Sequence, residues 1–187
     1  GALPTAEVEV DTAELAEIKA AQSGCDDAFR SLVERHQARI HRLCFHYLSN
    51  EDDAREACQD TFVRAHGALQ RFVPRARFST WLHQIALNLC RDRLRRKRPT
   101  VPIDQFDFPC GKAAPDEAAI READLAKLER GLALLPARLR EVIVLSCLEG
   151  LSHNECSAIL KCSERAIEGR LYRARTRLSA WWILETA

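Results

Sequence analysis

Apolar side chains recur at three- and four-residue steps along most of this chain and nowhere alternate convincingly with polar ones, so it can bury helices but not sheets. Residues 26–48 carry Phe29, Leu32, Val33, Ile40, Leu43 and Tyr47 at that spacing, and Ser49-Asn50 ends the run. A second stripe follows from Glu51, through Ala54, Cys58, Phe62, Ala65 and Leu69, with acids at its start to suit the positive end of a helix dipole. After a loop around Phe72 to Ala76, Phe78, Trp81, Leu82, Ile85, Leu89 and Leu94 mark a third helix. Three such stripes facing one another make a small bundle.

Four of the seven prolines and one glycine then fall between Pro99 and Pro115, where no helical period persists. That composition predicts a flexible linker and a domain boundary. Beyond it, Leu125, Leu128, Leu132 and Leu135 predict a helix ending at Pro136, followed by Leu139 to Leu148, Gly150 and two further helical patterns. The expected fold is all-α, with two small helical domains over 11–98 and 119–184 joined by a linker over 99–118.

Within the second domain, Ser152-His153-Asn154-Glu155 has capping-box spacing, in which serine and glutamate side chains satisfy free amides at a helix start. That helix is expected to run to Leu160, followed by a turn at Lys161-Cys162-Ser163 and a longer helix capped by Ser163. With Ile167, Leu171, Ala174, Leu178 and one of Trp181 or Trp182 inward, the outer N-terminal face carries Arg165, Glu168, Gly169, Tyr172 and Arg173. Arg170, Arg175 and Arg177 flank it. A capped helix-turn-helix bearing that face suits a DNA major groove, where arginine donates to guanine, glutamate accepts from cytosine, and flanking arginines meet phosphates.

The third helix of the first domain ends in Arg91 to Arg98, RDRLRRKR, and carries Thr80, Gln84, Asn88, Arg91 and Arg95 along one polar face. Cations there complement the negative end of the helix dipole and bind phosphates. Phe72, Phe78 and Trp81 lie beside that face or in the loop before it, where an aromatic ring can hold an unstacked base. Phe78 reads as core, and loop-borne Phe72 as the better base contact.

Net charge is only +1, but acidic stretches near Glu7 to Glu17 and Glu51 to Asp60 are segregated from the basic blocks, implying two kinds of partner surface. Apolar runs are far too short to span a bilayer, and no export signal opens the chain, so a cytoplasmic protein without membrane insertion is expected. With no methionine in the sequence, Gly1-Ala2 reads as the remnant of a cleaved tag. Eight cysteines at apolar positions in helical patterns read as reduced, largely buried thiols. Cys44 and His46 point about 200° apart on a helix, and Cys156 and Cys162 lack a second ligand pair, so no metal site is expected. There is no phosphate loop, paired nucleophile or carboxylate dyad, and therefore no catalytic residue, cofactor or enzyme activity is expected.

From about Asp26 to Leu178 the chain resembles the extracytoplasmic-function (ECF) sigma factors of the sigma-70 family. EDDAREACQDTFVRAHGAL is similar to the region 2 helix that binds the clamp helices of the polymerase β′ subunit, with Glu56, Gln59, Asp60 and Phe62 on the family's motif. ARFSTWLHQIALNLCRDRLRRKRP resembles the segment that reads and melts the minus-10 element. The resemblance assigns Phe72, Arg77, Trp81, Gln84, Asn88, Arg91 and Arg95 to that DNA, with Phe72 and Asn88 holding a flipped base. Leu134 to Leu178 resembles region 4, which touches the polymerase β flap and reads the minus-35 element, the latter here through Arg165, Glu168, Gly169, Arg170, Tyr172 and Arg173. Cys156, Ser157 and Lys161 depart from the family's usual isoleucine, alanine and turn glycine, and Glu168-Gly169 points to an unusual minus-35 preference. The resemblance implies an alternative sigma factor whose partners are core RNA polymerase, promoter DNA and an anti-sigma factor, free or membrane-anchored. The competing expectation is a helix-turn-helix regulator that does not join polymerase.

Overall fold

The computed structural model describes residues 12–97 and 122–185, and among these it contains helices and connections but no strand. The expected linker over 99–118 lies outside the described residues, as do Arg98 and Cys110. Helix α1 spans Thr12–Gln22, α2 Asp26–Leu48, α3 Glu51–Ala68 and α4 Phe78–Lys97, with a single 3-10 turn at Leu69–Arg71 between the last two.

The boundaries of α2 and α3 follow from local chemistry. Ser49 takes the left-handed conformation, φ 52°, and donates its backbone N–H to the Phe45 carbonyl, closing α2. Asn50 then accepts from the Asp53 amide as N-cap of α3, whose first turn holds Glu51, Asp52 and Asp53. Leu32, Ile40, Leu43, Cys44, Ala54, Ala57, Phe62, Leu82 and Ala86 fill the space between α2, α3 and α4. Helix α1, not predicted from its alanine-rich sequence, packs on α2 through Ile18 and Ala21 and through the pairs Glu14–His36 at 2.6 Å and Glu17–Arg35 at 2.9 Å. The Gln22 amide donates to the Leu69 and Phe72 carbonyls at 2.9 and 3.0 Å, fastening the loop that enters α4.

The second domain holds α5 (Glu122–Leu134), α6 (Ala137–Ile143), α7 (His153–Leu160) and α8 (Glu164–Leu184), with a π turn at Val144–Leu148 following α6. Ser152 and Glu155 complete the expected capping box, and Ser163 accepts from the Ala166 amide. Lys161 supplies the left-handed turn residue, φ 51°. Of the two candidate tryptophans it is Trp181 that is buried, lying so close to α5 that a Cβ on Gly131 would fall 2.7 Å from its ring.

The two domains pack against each other, α4 against α7 and α2 against α5 and the π turn. Arg140 joins them from within. Its buried guanidinium donates to the carbonyls of Leu132, Ala133 and Leu135 at the end of α5 and to that of Tyr47 at the end of α2. It thereby satisfies carbonyls that helix ends leave without partners.

Candidate nucleic-acid and polymerase interfaces

The polar face expected on α4 is real but is not open along its length. Thr80 is buried, the Gln84 amide donates to the Ala158 carbonyl of α7 at 2.9 Å, and Arg77 lies 3.7 Å from Glu155. Arg91 makes two charge-assisted bonds to the Glu141 carboxylate, at 2.6 and 2.8 Å, and a third to Asn88 Oδ1 at 3.1 Å. Those bonds to Glu141 hold the Arg91 guanidinium even more firmly protonated than usual. Asn88 and Arg95 remain exposed, Arg95 paired with Asp92. The second domain thus covers part of the surface that the sequence assigns to DNA.

The aromatic expectation for Phe72 changes. Although in a loop, Phe72 is buried, its ring 5.4 Å from Phe78 and 5.0 Å from Trp81. Edge-on and tilted contacts among three rings stabilise the loop. Trp81 is the partly exposed member of the cluster, and Phe78 is core.

On α3, the four residues expected to meet polymerase divide between two sides. Glu56 and Asp60 bind Arg93 of α4 at 2.8 and 2.6 Å. Gln59 lines an open groove of about 830 Å³ between α2 and α3, and Phe62 is buried in its floor. Phe29, Val33 and Val63 make much of the remaining lining apolar, and Gln37, His41, Arg55 and His66 are among its polar members. Val63, 65% exposed, was missed in the sequence because it stands outside the stripe; an apolar residue off-stripe on an acidic helix is the available signal.

The recognition face of α8 is open. Arg165, Glu168, Gly169, Tyr172 and Arg173 are exposed and Arg170 is half-buried, while Ile167, Leu171 and Ala174 face inward. Nothing lies within 4 Å of a Cβ built on Gly169, so internal packing does not require glycine there. Glu168 is 3.8 Å from His153.

The cysteines divide too. Cys44, Cys58, Cys90 and Cys156 are buried and Cys162 is half-buried, whereas Cys25 and Cys147 are exposed, so most of the described thiols are at least partly buried, as expected, and two are open. Hydrogen bonding to Cys90 and burial push the Cys44 thiol far up, and burial pushes Cys156 up to about 12. Among the described residues no group of three or more His, Cys, Asp or Glu could hold a metal ion, and no helix is long and apolar enough to cross a membrane.

Comparison with known proteins places both domains. The family described as Sigma-70 region 2 matches residues 32–100, and that described as Sigma-70, region 4 matches 125–178. The ECF RNA polymerase sigma factor SigW of Bacillus subtilis is 30% identical over 172 residues, covering 86% of this chain and 92% of its own. RNA polymerase sigma factor CnrH of Cupriavidus metallidurans is 36% identical over 170 residues, covering 86% and 89%. The solved structure of CnrH in complex with the cytosolic domain of CnrY superposes with a TM-score of 0.72 at 35% identity, covering 92% of this chain and 98% of that one.

Proposed function

This chain belongs to the sigma-70 family as an ECF sigma factor, and from that membership we infer that it binds core RNA polymerase and directs it to promoters. The observation that carries the reading is the coexistence, in one chain, of an exposed arginine-bearing recognition helix and a basic, aromatic-flanked α4. A regulator that only binds duplex DNA needs the first and not the second.

Arg165, Arg170 and Arg173 serve minus-35 DNA, with Tyr172 exposed on the same helix and Glu168 selecting for a base that can donate to it. Gly169 lets backbone approach. Arg77, Trp81, Gln84, Asn88, Arg91 and Arg95 serve the minus-10 element, and Phe72 acts there by buttressing Trp81 rather than by open contact. Polymerase docks on α3, both over the groove where Gln59 and Val63 are exposed above Phe62 and on the helix's other side, where Glu56 and Asp60 hold Arg93. The β flap meets the second domain. The chain itself carries out no chemistry, acts in the cytoplasm, and is silenced by an anti-sigma factor; similarity to CnrH, solved with the cytosolic domain of CnrY, supports that last point.

Gel filtration of the full chain with sigma-free core polymerase tests the docking. Wild type comigrates with core and Val63→Asp, folded by circular dichroism, does not. Failure of the wild type to comigrate would overturn the reading.

A further inference from the structure

Two carboxylates of the second domain reach into the first. The Glu141 side chain is 4% exposed and accepts from Arg91 twice and from the Tyr47 hydroxyl at 3.2 Å. The Glu149 side chain is fully buried between Arg39 and Arg42 of α2, whose Nε atoms lie 3.4 and 3.2 Å from its oxygens, and Arg39 also donates to the Glu149 backbone carbonyl at 2.8 Å. The asymmetry matters. The carboxylates are sunk, whereas the side chains of Arg39, Arg42 and Arg91 stay 39%, 54% and 38% exposed.

When the domains part, Glu141 and Glu149 return to water at no lasting penalty, and three arginines on α2 and α4 lose their anions together. Guanidinium recognises carboxylate and phosphate oxygens with the same forked donors. We propose that Glu141 and Glu149 are internal stand-ins for DNA phosphates, occupying Arg91, Arg39 and Arg42 in the closed molecule, and that promoter DNA takes the same arginines when the domains separate. This adds Arg39 and Arg42 to the DNA-binding surface. It rests on the reading of α4 as the minus-10 face and supplies that face with a built-in competitor.

Competition of this kind has a definite form. A chain that is mostly closed binds DNA with an affinity reduced by its open fraction, and DNA, by reciprocity, opens the chain by the same factor. A bulky protein partner is not needed to keep the free chain off DNA.

The test uses the full chain and the isosteric double variant Glu141→Gln/Glu149→Gln, with a fluorescently labelled, mixed-sequence single-stranded oligonucleotide as probe. Small-angle scattering reports domain separation and anisotropy reports binding. The expected result is an expanded profile and an affinity about tenfold higher, within the usual range for coupled sites, with the gain removed by adding Arg39→Ala/Arg42→Ala. An unchanged profile overturns the lock, and expansion without an affinity gain overturns the shared arginines. Should the double variant not fold, scattering from wild-type chain titrated with the oligonucleotide decides: expansion supports the proposal, and a profile as compact as the free chain's overturns it. Failure of the sigma reading itself registers separately, as loss of wild-type comigration with core polymerase.

Discussion

Phe72 sits in a loop and is nonetheless buried, because the Gln22 amide pins its carbonyl and the rings of Phe78 and Trp81 close over it. Phe72→Ala therefore lowers unfolding free energy by about 3 kcal/mol, as large-to-small core changes do; a urea titration showing less than about 0.5 kcal/mol would restore the open-loop picture. His83 makes a second residue-scale prediction. It is buried with Nδ1 on the Ser79 carbonyl, Nε2 unpartnered and Arg39 nearby, and desolvation lowers its pKa below the ordinary 6.5. A depressed histidine is neutral in both states above that value, so stability is full there. Below it the unfolded chain binds a proton that the folded chain refuses, and stability falls. The urea midpoint is expected to drop between pH 7.5 and 5.5, and to drop less in His83→Gln. Neither environment was legible in the sequence, since loop position and a histidine on a polar flank both suggest exposure; what buried them is contact with distant residues.

Helix ends were the most legible elements. The capping box at Ser152, the Ser163 cap and the break at Ser49-Asn50 are all present, because each is a local bargain between a side chain and backbone groups three residues away. Ser152→Ala removes an acceptor for the Glu155 amide and the hydroxyl's own bond to the Glu155 carboxylate. It is expected to cost about 1 kcal/mol, measured by thermal or urea unfolding, whereas Ser157→Ala on the same helix should cost less. Two elements escaped. Helix α1 offers only Ile18 and Ala21 as buried residues in an alanine-rich stretch, too weak a stripe to announce itself. The π turn at Val144–Leu148 lies in an apolar run whose period does not distinguish it from α-helix; it delivers Glu149 to the interface.

At the scale of the molecule, two all-helical domains were legible and their docking was not. The contacts that join them, Arg91 to Glu141, Arg39 to Glu149 and Arg140 to the Tyr47 carbonyl, link residues 50, 110 and 93 positions apart, and each arginine and glutamate alone looks like an ordinary surface charge. The consequence reaches function, for the α4 face that reads as DNA-binding is partly covered while the α8 face is open. Under the proposed assignment of α4 to the minus-10 element, full engagement of that face calls for the second domain to move, and binding to polymerase is the event expected to hold the domains apart. The most direct measurement is transcription in vitro: the full chain with sigma-free core polymerase on fragmented bacterial DNA, with 5′ ends mapped by sequencing. Discrete starts that share two upstream elements are predicted, lost with Asn88→Ala/Arg91→Ala and with Arg165→Ala/Arg173→Ala. Absence of any chain-dependent start, while the chain alone protects specific duplex sites, would contradict the account and make the protein a regulator that acts outside polymerase.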